Sequence, residues 1–569
     1  MGRDSRSYFY SSRTASVRSE SPPPAYSSRP PSIYQRLRSE RSPLIPTTAN
    51  SKSASSEEAS PLSACLQLLG FLLGWVVLFL PFFFLYHYFF GGPSLPAPPP
   101  PTYSIAIIGA GPAGISAAQH LYQNSRNRNF RLNVTVFESA PVIGGQLALH
   151  ASAGGPVLPY DDDEQRPITA EDIAGTALVW GNPFFTRKSE ETLGDRLGFA
   201  ECPSQMVGYF SDHIVSDTTR PYSKTPMTSW LGQIFRYGKS VWLAGAMTKD
   251  GTSLRDRFVD PPLTMDLMQL MISLGILDPA QELAPNGLGN RGIEGAYIAE
   301  VLGPQVERSS FQRVPSTSTL AAMLALGQED NANFYIGGEL IDRLEQVISA
   351  TDATVRIGAT VEGIKNAMID EDKSAWLVSY GAMGVSGIQA EAFDKIIVAA
   401  PDFNLYQVSS IDDIEAASVL TYQPVYITFF TTASRFRSDL FNDINQILFF
   451  DNQDENSNFY GVKELAFIRE VSRTNEDGNR VVEYLYRALS NGGAEAQLRG
   501  LDQEITWLYQ TKLEKAYPDL YPFRRFPTFK LSSKGLWWTS AIHTIASTVD
   551  MSWLAGQIVA EDILKELQG

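Results

Sequence analysis

Cysteine and histidine are both scarce in this sequence. Only Cys65 and Cys202, with five histidines, occur among 569 residues. Two cysteines cannot provide a disulfide framework, and they do not indicate a redox compartment. No nucleophile–histidine–acid constellation and no cluster with metal-ligand spacing is recognisable. The sequence therefore predicts neither a metal site nor a catalytic triad.

Positive charge is also in short supply. The chain has 46 Lys and Arg against 62 Asp and Glu, a formal net charge of −16. Residues 1–61 carry nine basic and five acidic side chains, which leaves the remainder at about −20. A broadly acidic surface argues against a nucleic-acid partner.

Charge is absent from Leu62 to Phe90, a block of 29 residues without Asp, Glu, Lys or Arg. This length suffices for a transmembrane helix, and the block lies too deep in the chain for a cleaved signal peptide. Basic residues precede the block, and none follows it until Arg126. The positive-inside rule then predicts an uncleaved signal anchor with a cytosolic tail and a lumenal remainder.

A glycine-rich motif begins soon after the block. The segment SIAIIGAGPAGISAAQHL predicts a buried strand from Ile105 to Ile108, a tight turn, and a helix starting near Gly111. Gly109 permits the turn, Gly111 lets the backbone approach a pyrophosphate, and Gly114 lets the helix lie close to the strand. The motif alone does not distinguish NAD from FAD.

The next strand favours a nucleotide site. LNVTVFES delivers Glu138, 29 residues past Gly109, to the position where an acid binds a ribose hydroxyl. A glycine pair, Gly144 and Gly145, follows in SAPVIGGQLAL. This order resembles two-dinucleotide-binding flavoproteins of the amine oxidase and phytoene desaturase type, and it favours FAD. Those families usually have Arg after the glycines, whereas this chain has Gln146.

Later segments fit the same plan. ATVRIGATVEGIKNA predicts a strand with Val361 beside the adenine, and DKIIVAAPDF predicts a strand that ends at Ala399 and Ala400 near the dinucleotide. The final helix is predicted from about Met551 to Leu564, with its first amides, around Asp550, at the pyrimidine end of the flavin. A purely structural C-terminal helix is the alternative. The predicted cofactor-binding residues are Gly109, Gly111, Pro112, Ala113, Gly114, Glu138, Gly145, Gln146, Val361, Ala400, Asp550 and Met551.

Five segments of the chain form a further pattern. They are MTSWLGQIFRYGKSVWLAGAMTKDGTSLRDRF, GIEGAYIAEVLGPQVERSSFQRVPSTSTLAAMLAL, NFYIGGELIDRLEQVI, EDIAGTALVWGNPFF with Gly175, and the terminal LWWTSAIHTIASTVDMSWLAGQIVAEDIL. In this order they resemble the prenylcysteine oxidase (prenylcysteine lyase) family, and the resemblance runs from about Ser104 to Leu564. Glu339 is a departure, because the family tends to have Asn after the glycines at that position.

The resemblance implies an FAD-dependent thioether oxidase. Such an enzyme splits farnesyl- or geranylgeranyl-cysteine from degraded prenylated proteins into cysteine, a prenyl aldehyde and hydrogen peroxide, with O2 as acceptor. It also implies a vacuolar or lysosomal location. The chemistry requires a long apolar tunnel, and the candidate lining residues, with core packing as the alternative for each, are Trp230, Phe235, Tyr237, Trp242, Trp537 and Trp538. His543 is the one histidine that we consider as a proton donor.

We predict an α/β fold in which a Rossmann-like FAD-binding domain carries an inserted α+β substrate domain and follows one transmembrane helix. The expected order is a disordered cytosolic tail (1–61), a signal anchor (62–90), a proline-rich linker (91–102), a first FAD-binding segment (103–200), a substrate region (201–350), a second FAD-binding segment (351–402), the continued substrate region (403–530) and a C-terminal FAD-binding segment (531–569). Two alternatives stay open: another flavin oxidase or desaturase acting on an apolar amine or lipid, and a non-catalytic membrane-anchored scaffold.

Overall fold

The computed structural model divides the chain into two units, Met1–Ala97 and Pro98–Gly569. The residues it describes are 75–77, 79–86, 99–148, 160–161, 166–167, 207–211, 214–216, 227–255, 261–293, 295–331, 339–370, 373–401, 403–409, 411–412, 420–436, 446–449, 459–474, 479–499, 504–546 and 548–568. The predicted tail (1–61), Gly175 and most of the linker lie outside these ranges.

In the first unit, the described part of the uncharged block is helical at residues 75–77 and 79–86. The rings of Trp75 and Phe79 stack with centroids 4.7 Å apart, and Phe82 is 67% exposed. Among the described residues, no helix has both the length and the apolar character needed to cross a membrane. The transmembrane part of the fold prediction therefore stays a prediction.

In the second unit the strands are β1 (Thr102–Ile108), β2 (Arg131–Glu138), β3 (Tyr160–Asp161), β4 (Arg166–Pro167), β5 (Val207–Ser211), β6 (Ile214–Ser216), β7 (Thr354–Ile357), β8 (Ala359–Asp370), β9 (Lys373–Ala382), β10 (Ile388–Phe393), β11 (Lys395–Val398), β12 (Tyr422–Thr432), β13 (Gln446–Phe449), β14 (Val462–Thr474), β15 (Arg480–Ser490), β16 (Ile505–Pro518), β17 (Lys530–Ser532) and β18 (Leu536–Trp538).

The described α-helices of this unit are α1 (Pro112–Ser125), α2 (Met227–Tyr237), α3 (Ser240–Arg255), α4 (Leu267–Leu274), α5 (Leu277–Gln281), α6 (Ala284–Asn290), α7 (Gly303–Ser310), α8 (Thr319–Asn331), α9 (Glu339–Ser349), α10 (Glu495–Arg499) and α11 (Val549–Gln568). The 3₁₀ and π segments are Gly145–Ala148, Ile298–Leu302, Val314–Ser316, Leu405–Gln407 and Thr539–Thr544.

Within the described residues, one sheet has six strands in the order β17-β18-β11-β1-β2-β7. β1 is parallel to both β2 and β11, and β11 is parallel to β18. Residues Ile105 to Ile108 of β1 are at most 5% exposed. A continuous apolar run of this kind is expected of a parallel strand, since such sheets are covered on both faces. The carboxyl ends of β1, β2 and β11 meet at one edge of the sheet.

The first and last helices of the unit pack against each other. A Cβ on Gly556 of α11 would lie 2.2 Å from the carbonyl oxygen of Ala113 in α1, so only glycine allows this approach. Near the other ends of the helices, the Arg128 guanidinium donates to the Leu564 carbonyl at 3.0 Å. Because the contacts advance in the same direction along both helices, α1 and α11 run parallel and begin at the same end of the sheet.

Two further sheets complete the described architecture. Seven of the described strands form a mostly antiparallel sheet in the order β16-β12-β15-β14-β13-β5-β6, with β13 and β5 as its parallel pair. β8, β9 and β10 form an antiparallel sheet of their own. The described chain thus has the expected α/β plan, in which a parallel, Rossmann-like sheet is assembled from distant segments of sequence.

One strand prediction is corrected. The segment around Val361 was expected to form a single strand of the nucleotide domain, but it forms two, β7 and β8. Gly358 separates them with a φ of +66°, a conformation that favours glycine. β7 pairs with β2, whereas β8, which carries Val361, pairs with β9. A glycine inside a strand pattern marks this change of sheet.

Candidate functional site

The first glycine turn lies at the carboxyl edge of the six-stranded sheet. Gly109 has a φ of +102°, and its amide donates to the Phe137 carbonyl of β2 at 2.8 Å. A Cβ built on Gly109 would lie 3.1 Å from the Ala399 carbonyl oxygen and 3.2 Å from the Ala400 Cβ. The turn is therefore held between β2 and the segment that follows β11. The sequence predicted that this segment, which contains Ala399 and Ala400, lies near the dinucleotide site.

Helix α1 begins directly at this turn. Gly111 is its N-cap and Pro112 its first residue, and no side chain caps the helix. A Cβ on Gly114 would lie 2.0 Å from the Gly109 carbonyl oxygen, which explains why glycine stands there. The uncapped amides of the first turn and the positive end of the helix dipole suit a phosphate group.

A second glycine turn faces the first. The Gly144 amide donates to the Ala110 carbonyl at 2.9 Å. Gly145 has a φ of +57°, and a Cβ on it would lie 3.3 Å from the Cα of Gly111. Two main-chain turns thus approach each other with no side chain between them. This is the kind of backbone cradle that a pyrophosphate requires, so the residues present fit a dinucleotide.

Glu138 ends β2 beside the cradle and is 6% exposed. Its Oε2 accepts the Ala110 amide at 2.8 Å and its Oε1 accepts the Ala140 amide at 2.9 Å. The Ser139 hydroxyl also donates to Oε1, at 3.5 Å. A carboxylate has about four acceptor positions, so about one remains for a ribose hydroxyl. The Ala140 carbonyl also accepts the Gly358 amide at 3.0 Å. This bond joins the segment after Glu138 to Gly358, just before β8, and the contact of Val361 with the adenine stays a prediction.

The C-terminal helix reaches the same end of the sheet. α11 begins at Val549, two residues before the predicted start. The Thr548 hydroxyl accepts the Met551 amide at 3.2 Å, so Thr548 acts as an N-cap. The Met551 amide is therefore engaged by this cap, and the contact of the first helix amides, around Asp550, with a flavin stays a prediction.

A polar network that the sequence did not reveal links the second glycine turn to β16. The side-chain amide of Gln146 donates to the main-chain carbonyl of Lys515 at 2.7 Å. The Lys515 ammonium donates to the Pro401 carbonyl at 3.0 Å and lies 5.9 Å from the centre of the Tyr422 ring. The Tyr422 hydroxyl is 2.9 Å from His543 Nδ1. No motif marks Lys515 or Tyr422, since both lie on ordinary strands of the seven-stranded sheet.

His543 does not fit the role of proton donor. Burial lowers the pKa of His543 to about 4, so the ring is neutral at pH 5 to 7 and has no imidazolium proton to give. A neutral ring can instead share a hydrogen bond with Tyr422. We regard His543 as a half-buried polar contact of the 3₁₀ segment Thr539–Thr544.

The pKa of His543 predicts a pH dependence of stability. The ordinary histidine pKa is about 6.5. Above that pH the ring is neutral in both the folded and the unfolded chain, so the folded state has its full stability. As the pH falls from 6.5 towards 4, the unfolded chain takes up a proton at His543 and the folded chain does not. The free energy of unfolding therefore falls by about 3 kcal/mol over this range. We expect urea unfolding to show that between pH 7 and pH 4 the wild type loses more free energy of unfolding, by about this amount, than His543→Gln. Equal losses in the two proteins would contradict the assignment.

The predicted tunnel residues lie in three different settings. Phe235 and Trp242 are 87% and 53% exposed. The described residues therefore do not enclose either ring in a tunnel. Tyr237 is buried and donates to Glu300 at 2.9 Å. Trp538 is 4% exposed, as part of the buried core. The side chain of Trp230 lies outside the described set, and a tunnel lined by these residues stays a prediction.

Trp537 is better explained as a core residue of the six-stranded sheet. It is fully buried, and its indole nitrogen donates to Asp562 of α11 at 2.9 Å. Its ring lies near Lys395 and Lys530, and Lys395 is at the amino end of β11, away from the glycine turns. No group of three or more His, Cys, Asp and Glu side chains suited to a metal ion occurs in the described part of the chain.

Comparison with known proteins agrees with this geometry. Residues 107–161, which include both glycine turns and Glu138, match the model of an NAD(P)-binding Rossmann-like domain. Fold and site together define a protein with a Rossmann-like dinucleotide site. Residues 267–569, more than half of the chain, match the model of prenylcysteine lyase. The chain belongs to the prenylcysteine lyase family, and it is an FAD-dependent oxidoreductase. Membership of an enzyme family also speaks against the scaffold alternative.

Other matches are more limited. A curated relative, the mitochondrial electron transfer flavoprotein-ubiquinone oxidoreductase of Arabidopsis thaliana, is 42% identical over 70 residues, which span 12% of this chain and 11% of that protein. A triple mutant of a putrescine oxidase covers 82% of this chain and 99% of its own at 15% identity and a TM-score of 0.49. The wild type bound to putrescine gives the same coverage and identity with a TM-score of 0.48. No substrate of this chain follows from these matches.

Proposed function

We propose that this chain oxidises the thioether of S-prenyl-L-cysteine, with a farnesyl or geranylgeranyl group, to cysteine, the prenyl aldehyde and hydrogen peroxide. The observation that carries the proposal is the prenylcysteine lyase match. That match includes β12 to β16 of the seven-stranded sheet as well as α11, and so spans both a region suited to substrate and the flavin end of the site. The substrate would arise from the breakdown of prenylated proteins.

The reaction requires little acid–base chemistry from the protein. FAD, held by the glycine turns and Glu138, would supply the two-electron acceptor for a hydride, with O2 as the final oxidant and hydrogen peroxide as its product. The hydride leaves the prenyl carbon that is bonded to sulfur, where the resulting cation is both allylic and sulfur-stabilised. Water adds to this carbon and loses a proton. The hemithioacetal then breaks its C–S bond, so that sulfur leaves as the cysteine thiol and the carbon becomes the aldehyde.

The described residues supply binding and electrostatics for this reaction. The two glycine turns would hold the pyrophosphate through main-chain amides, and Glu138 would bind the ribose through its remaining acceptor position. The N-terminus of α11 starts at the same end of the sheet, where a helix dipole stabilises negative charge on a reduced flavin. His543 and Tyr422 would add a polar, uncharged contact.

The substrate proposal is tested by incubating the purified chain with farnesylcysteine in air. We expect hydrogen peroxide, farnesal and free cysteine in equal amounts, because one two-electron oxidation yields one molecule of each. S-hexylcysteine is the matched control, since its thioether carbon is not allylic, and it should react far more slowly. A flavin-loaded chain that leaves farnesylcysteine unchanged but oxidises an apolar amine or a polyene would favour the rival flavin oxidase or desaturase.

We also propose that the uncharged block Leu62 to Phe90 anchors the chain in a membrane, with its catalytic unit in the lumen of a vacuole, lysosome or other secretory compartment. Support comes from the length of the block, its lack of charge and the basic residues that precede it. The measurement is alkaline carbonate extraction, combined with protease protection of sealed vesicles. A chain that is extracted, or a catalytic unit that is cleaved without detergent, would contradict the anchor or its orientation.

A further inference from the structure

The pyrophosphate cradle contains no cation of its own. A bound pyrophosphate carries two negative charges, yet neither Lys nor Arg occurs between Gly109 and Ser125 or between Glu138 and Ala148. Gln146, which follows the second glycine turn, is uncharged. Its side-chain amide donates to the main-chain carbonyl of Lys515. Main-chain amides and the helix dipole would have to balance the charge alone unless another element contributes a cation.

Lys515 is placed to make that contribution. Its ammonium donates to the Pro401 carbonyl at 3.0 Å. Pro401 follows Ala400, whose Cβ lies 3.2 Å from the position that a Cβ on Gly109 would occupy. Through Gln146, the main chain of Lys515 also contacts the second glycine turn. Of the cations in the described part of the chain, Lys515 is the one whose contacts reach both sides of the cradle.

The surroundings of Lys515 leave its charge available. The side chain is half-buried, its contacts are a carbonyl oxygen and the Tyr422 ring, and no described carboxylate forms an ion pair with it. A three-donor ammonium that uses one donor on a carbonyl can give the others to phosphate oxygens. Charge-assisted hydrogen bonds of this kind are roughly twice as strong as neutral ones.

We propose that Lys515 supplies the positive charge for the FAD pyrophosphate, and that the Gln146 contact holds β16 in place for this purpose. The cation thus comes from the seven-stranded sheet and not from the glycine-turn loop. Cofactor affinity then couples the six-stranded sheet to the sheet that would hold the substrate. The inference rests on the FAD site and is independent of the substrate proposed above.

The test is titration of the apo form of the full chain with FAD, followed by quenching of flavin fluorescence. We expect Lys515→Met to raise the dissociation constant of FAD about 10- to 100-fold, the range of a lost charge-assisted hydrogen bond. Lys515→Arg should stay within about 3-fold of the wild type. The double variant Gln146→Arg with Lys515→Met should recover most of the affinity, because it returns a cation to the cradle.

Lys512→Met is the matched control. Lys512 lies on the same strand but is paired with Glu514 at 2.8 Å, so its loss should leave the FAD dissociation constant unchanged. An unchanged constant in Lys515→Met would overturn the proposal, as would equal weakening by Met and Arg without rescue, which indicates a structural role. A normal FAD constant with a raised KM for farnesylcysteine would instead assign Lys515 to the substrate. Should Lys515→Met fail to fold, Lys515→Gln makes the same change of charge with a polar side chain.

Discussion

A chain carrying Gly111→Trp is expected to fold and to be purified without flavin. Gly111 has a φ of −77° and a ψ of −177°, a conformation open to any residue, so the backbone is not strained. Its Cβ position points between the two glycine turns, 3.8 Å from the Cα of Gly145. An indole there would push into the second glycine turn and cover the main-chain amides that the pyrophosphate needs. The ratio of visible flavin absorbance to protein absorbance should fall at least about 100-fold, because most of the binding free energy for FAD would be lost.

Gly111→Ala is the control for this experiment. A single methyl group at 3.8 Å makes an ordinary van der Waals contact with Gly145, so most of the flavin should be retained. Thermal unfolding of both variants would show whether the fold persists. Full flavin content in a folded Gly111→Trp protein would mean that the two turns do not hold the cofactor.

The second large effect is expected at Gly556, where α11 packs against α1. A Cβ there would meet the Ala113 carbonyl oxygen at 2.2 Å and the Ala117 nitrogen at 2.9 Å, and both are main-chain atoms that cannot rotate away. Gly556→Val should force the helices apart and lower the free energy of unfolding by about 3 kcal/mol, at the high end for overpacking. Urea unfolding followed by far-UV circular dichroism measures the change.

Gly232 provides the opposite case. It lies within helix α2 at an exposed position, and a Cβ on it would meet nothing within 4 Å. Gly232→Ala should therefore raise the free energy of unfolding by about 0.5–1 kcal/mol, through helix propensity alone. If Gly556→Val were as stable as the wild type, the close parallel packing of the first and last helices would be wrong.

The sequence predicted best those features that depend on local chemistry. The glycine turn, the acid at the end of the next strand and the glycine pair lie within 40 residues of one another, and each residue type has a reason that neighbouring backbone imposes. Gly358 could also have been recognised as a strand break, because a glycine inside a strand pattern is a common signal. The residues around it have a continuous strand pattern, and the break between β7 and β8 was not predicted. Boundaries of the last helix were close because apolar periodicity defines its buried face.

Contacts between distant segments were not predictable in the same way. Lys515 meets Gln146 across 369 residues, and Tyr422 meets His543 across 121. These pairs depend on how the seven-stranded sheet is placed against the glycine turns, which no local pattern encodes. The pKa of His543 was missed for the same reason, since its burial is a property of the assembled fold. Thr548 was open to prediction, because a threonine before an apolar run is a common N-cap.

The central claim is that this chain binds FAD in the cradle and reduces it with a prenylcysteine thioether. Its most direct test is the visible absorbance spectrum of the purified chain, recorded before and after anaerobic addition of farnesylcysteine. We predict a flavin band that bleaches on addition of the thioether and returns when air is admitted. A colourless protein, or a flavin band that dithionite bleaches but farnesylcysteine leaves unchanged, would contradict the claim.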